Sequence, residues 1–242
     1  MPPRFHVSLD LTPGAELALP PGAARHVQVL RLQPGSDITL FNGQGGEWRA
    51  TVTRMGRSDV HVRLGEHLPI EREAPRPIHL LTGLMASERM DWLVEKATEL
   101  GAASLTPVHT QHCALRLTGE RAAKKQAHWQ AVATAACEQS RRNRLPPVQP
   151  PQALPDALAT AKAAGHAGIV LSLDAQAPSL RNAAAHWPPT QAVALLSGPE
   201  GGLSATEEAA ARAAGFLPAS LGARVLRAET APLAALAALL LA

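Results

Sequence analysis

Three short stretches of this chain gather residues that could hold a small ligand. They are Asp174-Ala-Gln-Ala-Pro178, Ser197-Gly-Pro-Glu-Gly-Gly202 and Leu221-Gly-Ala-Arg-Val-Leu-Arg-Ala-Glu-Thr230. Gly198, Gly201 and Gly202 allow positive φ and close approach of a ligand to the backbone, and Pro199 stiffens the turn. The second stretch does not have the GxxxxGK[ST] pattern of a phosphate loop and carries no Lys, so phosphate binding is disfavoured. A neutral or cationic ligand held by backbone carbonyls and amides fits better. Taken alone, the stretch is equally a strand-to-helix turn, since glycine marks turns. The third stretch crowds Arg224, Arg227 and Glu229 at a strand end, as functional sites do, although an exposed Arg227–Glu229 ion pair of little energetic weight would look the same.

Charge adds a second signal. The formal net charge is only +3 over 242 residues, but Arg116 to Arg144 holds seven basic residues against two acidic ones. That concentration suits a phosphate backbone, and equally a solvated helix face. Aromatic residues are 3% of the chain and there is no Tyr, so RNA contacts should rest on Arg and backbone groups rather than base stacking. His109, His112 and Cys113 are close in sequence, but no second cluster offers the further ligands a zinc site needs, and no metal is expected. Cys113 and Cys137 do not form a CxxC pair, and MPPRFHVSLD does not read as a signal peptide. Both point to reduced thiols in a cytoplasmic protein. The longest apolar run, Ala231–Ala242, is too short to cross a bilayer and contains Pro232.

The elements that must position these residues fall into two groups. Phe5 to Leu64 reads as short strands, including Ile38–Phe41, Trp48–Thr53 and Val60–Leu64, with one helical stretch near Ala23–Arg31. That pattern predicts a small β-barrel over residues 1–70. The polar, proline-bearing 71–77 segment reads as a linker. From 78 to 242, strands at 78–84, 105–109, 168–173 and 191–197 alternate with helices. One helix carries Met90, Leu93, Val94 and Ala97 on a single face, with Ser87 as its expected cap and Gly101 at its end. A second runs over 122–140, and Ser204-Ala-Thr-Glu207 is a capping box opening a third that Gly215 closes. Alternation of this kind implies a parallel sheet covered on both faces, with ligands beyond the carboxyl ends of its strands.

The strings Leu195-Leu-Ser-Gly-Pro-Glu-Gly-Gly-Leu-Ser-Ala-Thr-Glu207 and Leu221-Gly-Ala-Arg-Val-Leu-Arg-Ala-Glu-Thr-Ala231 closely resemble the bacterial 16S ribosomal RNA uridine-N3 methyltransferases, the RsmE family of the SPOUT class. Glu95–Gly101, Glu138–Asn143, His26–Gly35 and Pro3-Arg-Phe5 fit the same family, so the resemblance spans nearly the whole chain. The departures are Thr110-Gln111-His112, Arg141, Ala223 and Ala228. The resemblance implies an N-terminal PUA-like barrel, a C-terminal α/β SPOUT domain with a trefoil knot, and a homodimer. The tail helix Leu233–Leu241 would suit a dimer interface or a core equally well. It implies methyl transfer from S-adenosylmethionine to uridine N3 in 16S ribosomal RNA or the small ribosomal subunit. Leu173, Ser197, Gly198, Glu200, Gly201, Gly202, Leu221, Gly222, Leu226 and Arg227 would bind the cofactor. Arg227 would stabilise charge, with Glu138 and Glu229 as candidate proton acceptors. Arg4, His26, Arg31, Arg141, Arg142 and Asn143 would hold RNA. The alternatives are another SPOUT enzyme, such as a transfer-RNA ribose methyltransferase, and a non-catalytic RNA-binding assembly factor.

Overall fold

The computed structural model describes residues 2–57 and 59–241. The chain divides into two compact units: residues 1–73 with 137–145, and residues 74–136 with 146–242. Segment 137–145 therefore belongs to the first unit, whereas the sequence placed it in the second. The supposed linker is also divided at 73/74, and its residues are tied down by ion pairs and hydrogen bonds described below.

Unit 1 contains β1 (Arg4–His6), β2 (Glu16–Ala18), α1 (Pro21–Val29), β3 (Asp37–Phe41), β4 (Glu47–Met55) and β5 (Val60–Leu68). They form one five-stranded sheet in the order β1-β3-β4-β5-β2. β1 runs parallel to β3, and the other pairs are antiparallel. Register shifts between Trp48 and Ala50 and between Val52 and Arg54 bend β4 against β5, as bulges do. Ala50 and Val52 on β4 and Val60, Val62 and Leu64 on β5 point inward onto Phe5, Ile38, Leu40 and the Ala23, Ala24 and Val27 face of α1. The period-two pattern in the sequence is this one buried face. β1 and β2, which the alternation did not reveal, are three residues each and stand at the two edges.

Unit 2 contains β6 (Ile78–Gly83), α2 (Ser87–Glu99), β7 (Ser104–His109), most of α3 (Gly119–Ser140), β8 (Gln152–Ala153), α4 (Leu154–Ala163), β9 (Ala167–Leu171), α5 (Leu180–Ala184), β10 (Val193–Ser197), α6 (Ala205–Ala213), β11 (Phe216–Ala219) and α7 (Thr230–Leu240). The six strands are all parallel, in the order β11-β9-β10-β6-β7-β8. All five residues of β10 are buried, because successive side chains enter two separate cores. Val193 and Leu195 join Ile78, Leu80 and Ile169 under α2, α5 and α7, while Ala194 and Leu196 join Leu81 and Val170 under α4 and α6. The apolar tail helix thus packs into this core through Leu233, Ala235 and Leu236. The capping box forms as expected: Ser204 Oγ accepts from Glu207 N, and the Glu207 carboxylate accepts from Ser204 N. The Ser87 cap does not form. Ala86 is the cap residue, and Ser87 Oγ accepts from Lys125 Nζ instead. No helix among the described residues is long and apolar enough to cross a membrane.

Candidate active site

β11, β9 and β10 are neighbours in the sheet, so the loops that leave their carboxyl ends meet. They enclose a cavity of about 440 Å³, a size typical of small-molecule sites. Of the ten residues expected at the cofactor, nine line it: Leu173, Ser197, Gly198, Glu200, Gly201, Gly202, Leu221, Gly222 and Leu226. The tenth, Arg227, does not line it. Its side chain points to solvent and makes no hydrogen bond or ion pair among the described residues. Ser172, Glu208, Val225 and Ala228 complete much of the wall, and none was singled out from the sequence as a ligand contact.

The glycines are there for space and for backbone conformation. A Cβ on Gly198 would sit 2.8 Å from the carbonyl carbon of Gly202, and one on Gly201 would sit 2.7 Å from His112 Cβ. Gly202 and Gly222 have φ of +70° and +103°, where side chains are strained. Gly83, the last residue of β6, faces Pro199 so closely that a Cβ would lie 2.4 Å from its ring. The Thr110–His112 segment supports this loop. His112 Nδ1 lies 3.3 Å from Gly202 O, and Gln111 N donates to Glu207 Oε1 at 2.7 Å. Side-chain hydroxyls contribute little to the cavity floor, because Ser197 is buried with its Oγ turned 3.5 Å from Thr82 Oγ1.

The chemistry of the wall suits a ligand with apolar and cationic parts. Leu171, Leu203, Val225 and Leu226 supply apolar surface, and no Lys lines the cavity. Glu208 and Glu200 bring two carboxylates. Ser172 Oγ donates to Glu208 Oε2 at 3.2 Å. Glu200 Oε1 accepts from Ala86 N at 3.1 Å and from Arg89 Nη1 at 3.0 Å. Arg89 also comes within 4.0 Å of Glu229 Oε1. Glu229 is 8% exposed, and its Oε2 is buried without a hydrogen-bond partner. Arg89 lies on an ordinary amphipathic helix, so nothing local in the sequence marked it. Among the described residues no group of His, Cys, Asp or Glu has the geometry of a metal site.

Unit 1 corrects the proposed RNA contacts. Arg4 pairs with Glu47 at 2.5 Å, and their side chains are only 8% and 10% exposed. Arg4 Nη2 also donates to Asn143 Oδ1 at 2.7 Å, while fully buried Asn143 donates to Ile70 O at 2.6 Å. Arg142, with a side chain 5% exposed, forms a two-pronged pair with Glu73. These three residues are engaged in holding the unit together, although Arg4 also lines a concave surface. The carboxylate of Glu138 accepts from His6 N at 2.8 Å and lies 3.7 Å from His26. Burial pushes its pKa up, partly offset by that backbone donor. Glu138 thus belongs to unit 1, where its carboxylate is engaged by His6 N and lies beside His26. His26 and Arg31 are exposed, Arg31 with φ of +54°. Arg141, with φ of +67°, lines a concave surface beside Arg49 and Arg72.

Residues 72–240 match the RNA methyltransferase domain family, and residues 19–65 match the RNA methyltransferase PUA domain. The chain belongs to this RNA methyltransferase family. Within it, the chain is 38% identical to a Legionella pneumophila methyltransferase solved with S-adenosylmethionine bound; 99% of this chain and 97% of that one superpose with a TM-score of 0.92. The ribosomal RNA small subunit methyltransferase E of Neisseria gonorrhoeae, also bound to S-adenosylmethionine, is 37% identical over 98% of this chain and 96% of its own, with a TM-score of 0.91. The enzyme of the same name from Mycobacterium bovis is 34% identical over 87% of this chain and 80% of its own. Unit 1 therefore carries the PUA domain of an RNA methyltransferase, and the parallel sheet with its cavity is the RNA methyltransferase domain.

Proposed function

We propose that this chain transfers the methyl group of S-adenosylmethionine to N3 of a uridine in 16S ribosomal RNA, acting in the cytoplasm as a homodimer with a trefoil-knotted catalytic domain. The observation that carries the reading is the cavity at the ends of β9, β10 and β11. Its glycine backbone, apolar walls and two carboxylates suit an adenosyl group joined to a sulfonium and an ammonium. When bound, that cofactor supplies an electrophilic methyl group. The chain must hold the base in line with it and manage one proton.

Uracil N3 becomes a good nucleophile once its proton leaves, and the resulting charge spreads onto O2 and O4. Arg227 is unpaired among the described residues and stands at the cavity's rim sequence, next to Leu226. It stabilises that charge, as fixed cationic donors do. Glu229, with one buried carboxylate oxygen lacking a partner, accepts the proton. Arg89 keeps Glu229 and Glu200 in place. Of the RNA contacts, His26, Arg31 and Arg141 remain.

Calorimetry with S-adenosylmethionine tests the cavity. Gly201→Val must overpack against His112, which typically costs about 1–3 kcal/mol. The shifted loop should then bind S-adenosylmethionine measurably more weakly. Binding untouched by Gly201→Val, or no binding by the natural protein, would sink the cofactor assignment. Mass spectrometry of digested 16S ribosomal RNA from cells with and without the protein tests the product; a lost ribose methyl instead of a lost base methyl would redirect the assignment. A monomer mass by light scattering would remove the dimer.

A further inference from the structure

Unit 2 carries a second concavity, of about 570 Å³, formed by the start of α3 and the segment before it. Arg121, Lys124, Lys125, Leu115, Leu117 and Ala86 are among its lining residues. From this we infer that the groove holds a run of RNA phosphates beside the cofactor cavity. The inference rests on the RNA-methylating reading above and gives that reading a substrate track.

Charge argues for the occupant. Residues 116–125 carry four basic side chains, Arg116, Arg121, Lys124 and Lys125, and one carboxylate, Glu120. Glu120 pairs with Lys124 at 2.7 Å, but the two side chains are 80% and 75% exposed. Such a pair is worth little and yields readily to a phosphate. Arg116 and Arg121 are exposed, with no ion pair among the described residues. Lys125 Nζ donates to Ser87 Oγ, which fixes its ammonium at the groove.

Position argues for the purpose. Ala86 donates its backbone N–H to Glu200, and Glu200 lines the cofactor cavity. One hydrogen bond thus joins a residue of the groove to a residue of the cavity, so a strand whose reacting base enters the cavity can pass its backbone over the groove. No aromatic side chain lines it, so bases do not stack there. The groove positions the strand and does not read its sequence.

The double variant Arg121→Gln with Lys124→Gln tests this, since Gln keeps helix propensity. Binding of the full chain to labelled oligouridylate is measured across salt concentrations. The log–log salt slope should become shallower by about 0.7 for each phosphate that is no longer neutralised, the figure for single strands. The KM for 16S ribosomal RNA should rise on the order of tenfold at physiological salt, with kcat and S-adenosylmethionine affinity unchanged. Lys162→Gln, on the exposed face of α4, serves as the control and leaves the slope as it was. An unchanged slope and KM in the double variant, while the natural protein binds RNA normally, overturns the groove and spares the proposed function. Failure of the natural protein to bind RNA at any salt, with cofactor binding intact, overturns the RNA reading itself and the groove with it.

Discussion

Arg4 and Arg142 in unit 1 and Arg227 in unit 2 are the same kind of residue, each at or near the end of an element. The structure gives them opposite jobs. Glu47 and Glu73 take up Arg4 and Arg142 from 43 and 69 positions away in the chain. Arg227 has no such partner among the described residues and remains in solvent. A guanidinium becomes available to a substrate only where the fold brings it no carboxylate. That is a property of long-range pairing, which residue type does not encode.

Arg142→Ala should give the largest effect. Removing one partner of a buried pair leaves Glu73 uncompensated, typically at about 3–5 kcal/mol. Urea denaturation should register that loss, with S-adenosylmethionine affinity in the residual folded protein unchanged. Unaltered stability together with weakened RNA binding would return Arg142 to the RNA-contact set and dissolve the contrast.

Arg227→Ala should do the reverse. Its exposed side chain holds no carboxylate in place, so stability should stay within about 0.5 kcal/mol. The methyl-transfer kcat should fall roughly 100-fold, the usual cost of removing one donor to developing charge. A large drop in stability, or an unchanged kcat, would put Arg227 in the same class as Arg142.

The site was more legible than the scaffold around it. Gly198, Gly201, Gly202 and Gly222 could be picked out because glycine at a strand end carries its own conformational reason, and Ser204–Glu207 because a capping box is local. The inner faces of β4 and β5 were legible through alternation. By contrast, β8 is two residues long, α5 is five, and β11 contains Pro218, so none has enough periodicity to declare itself. Arg89 and Glu208 acquire their roles only when α2 and α6 are brought to the cavity. The 71–77 segment read as a linker because it is charged and proline-bearing. Its charges are in fact spent on Glu47, Arg142, Arg144 and, through Arg76, the carbonyls of Pro188 and Pro189.

The comparison extends to how each unit tolerates ionisable groups in its interior. In unit 1 the Arg4–Glu47–Arg72 cluster is held charged and paired. Burial alone would raise the Glu47 pKa, but hydrogen bonds from Arg72 and Arg4 outweigh it and hold the carboxyl below its ordinary range. Unit 2 half-buries an imidazole and holds its pKa down, as unit 1 does with His6. His79 accepts or donates at Ser104 Oγ, 2.8 Å away, and stacks on His166 with ring centroids 4.1 Å apart. Burial, with repulsion from His166, lowers its pKa from 6.5 to about 4. Below pH 6.5 the unfolded chain therefore binds a proton that the folded protein refuses, so stability present above 6.5 drains away as the pH falls towards 4. His79→Gln, which can keep the bond to Ser104, should leave stability at neutral pH nearly unchanged and flatten the urea midpoint between pH 6.5 and 4. If the variant loses stability in parallel with the natural protein across that window, the acid sensitivity arises elsewhere, with His6 and His166, whose pKa values burial also lowers, as the next groups to replace.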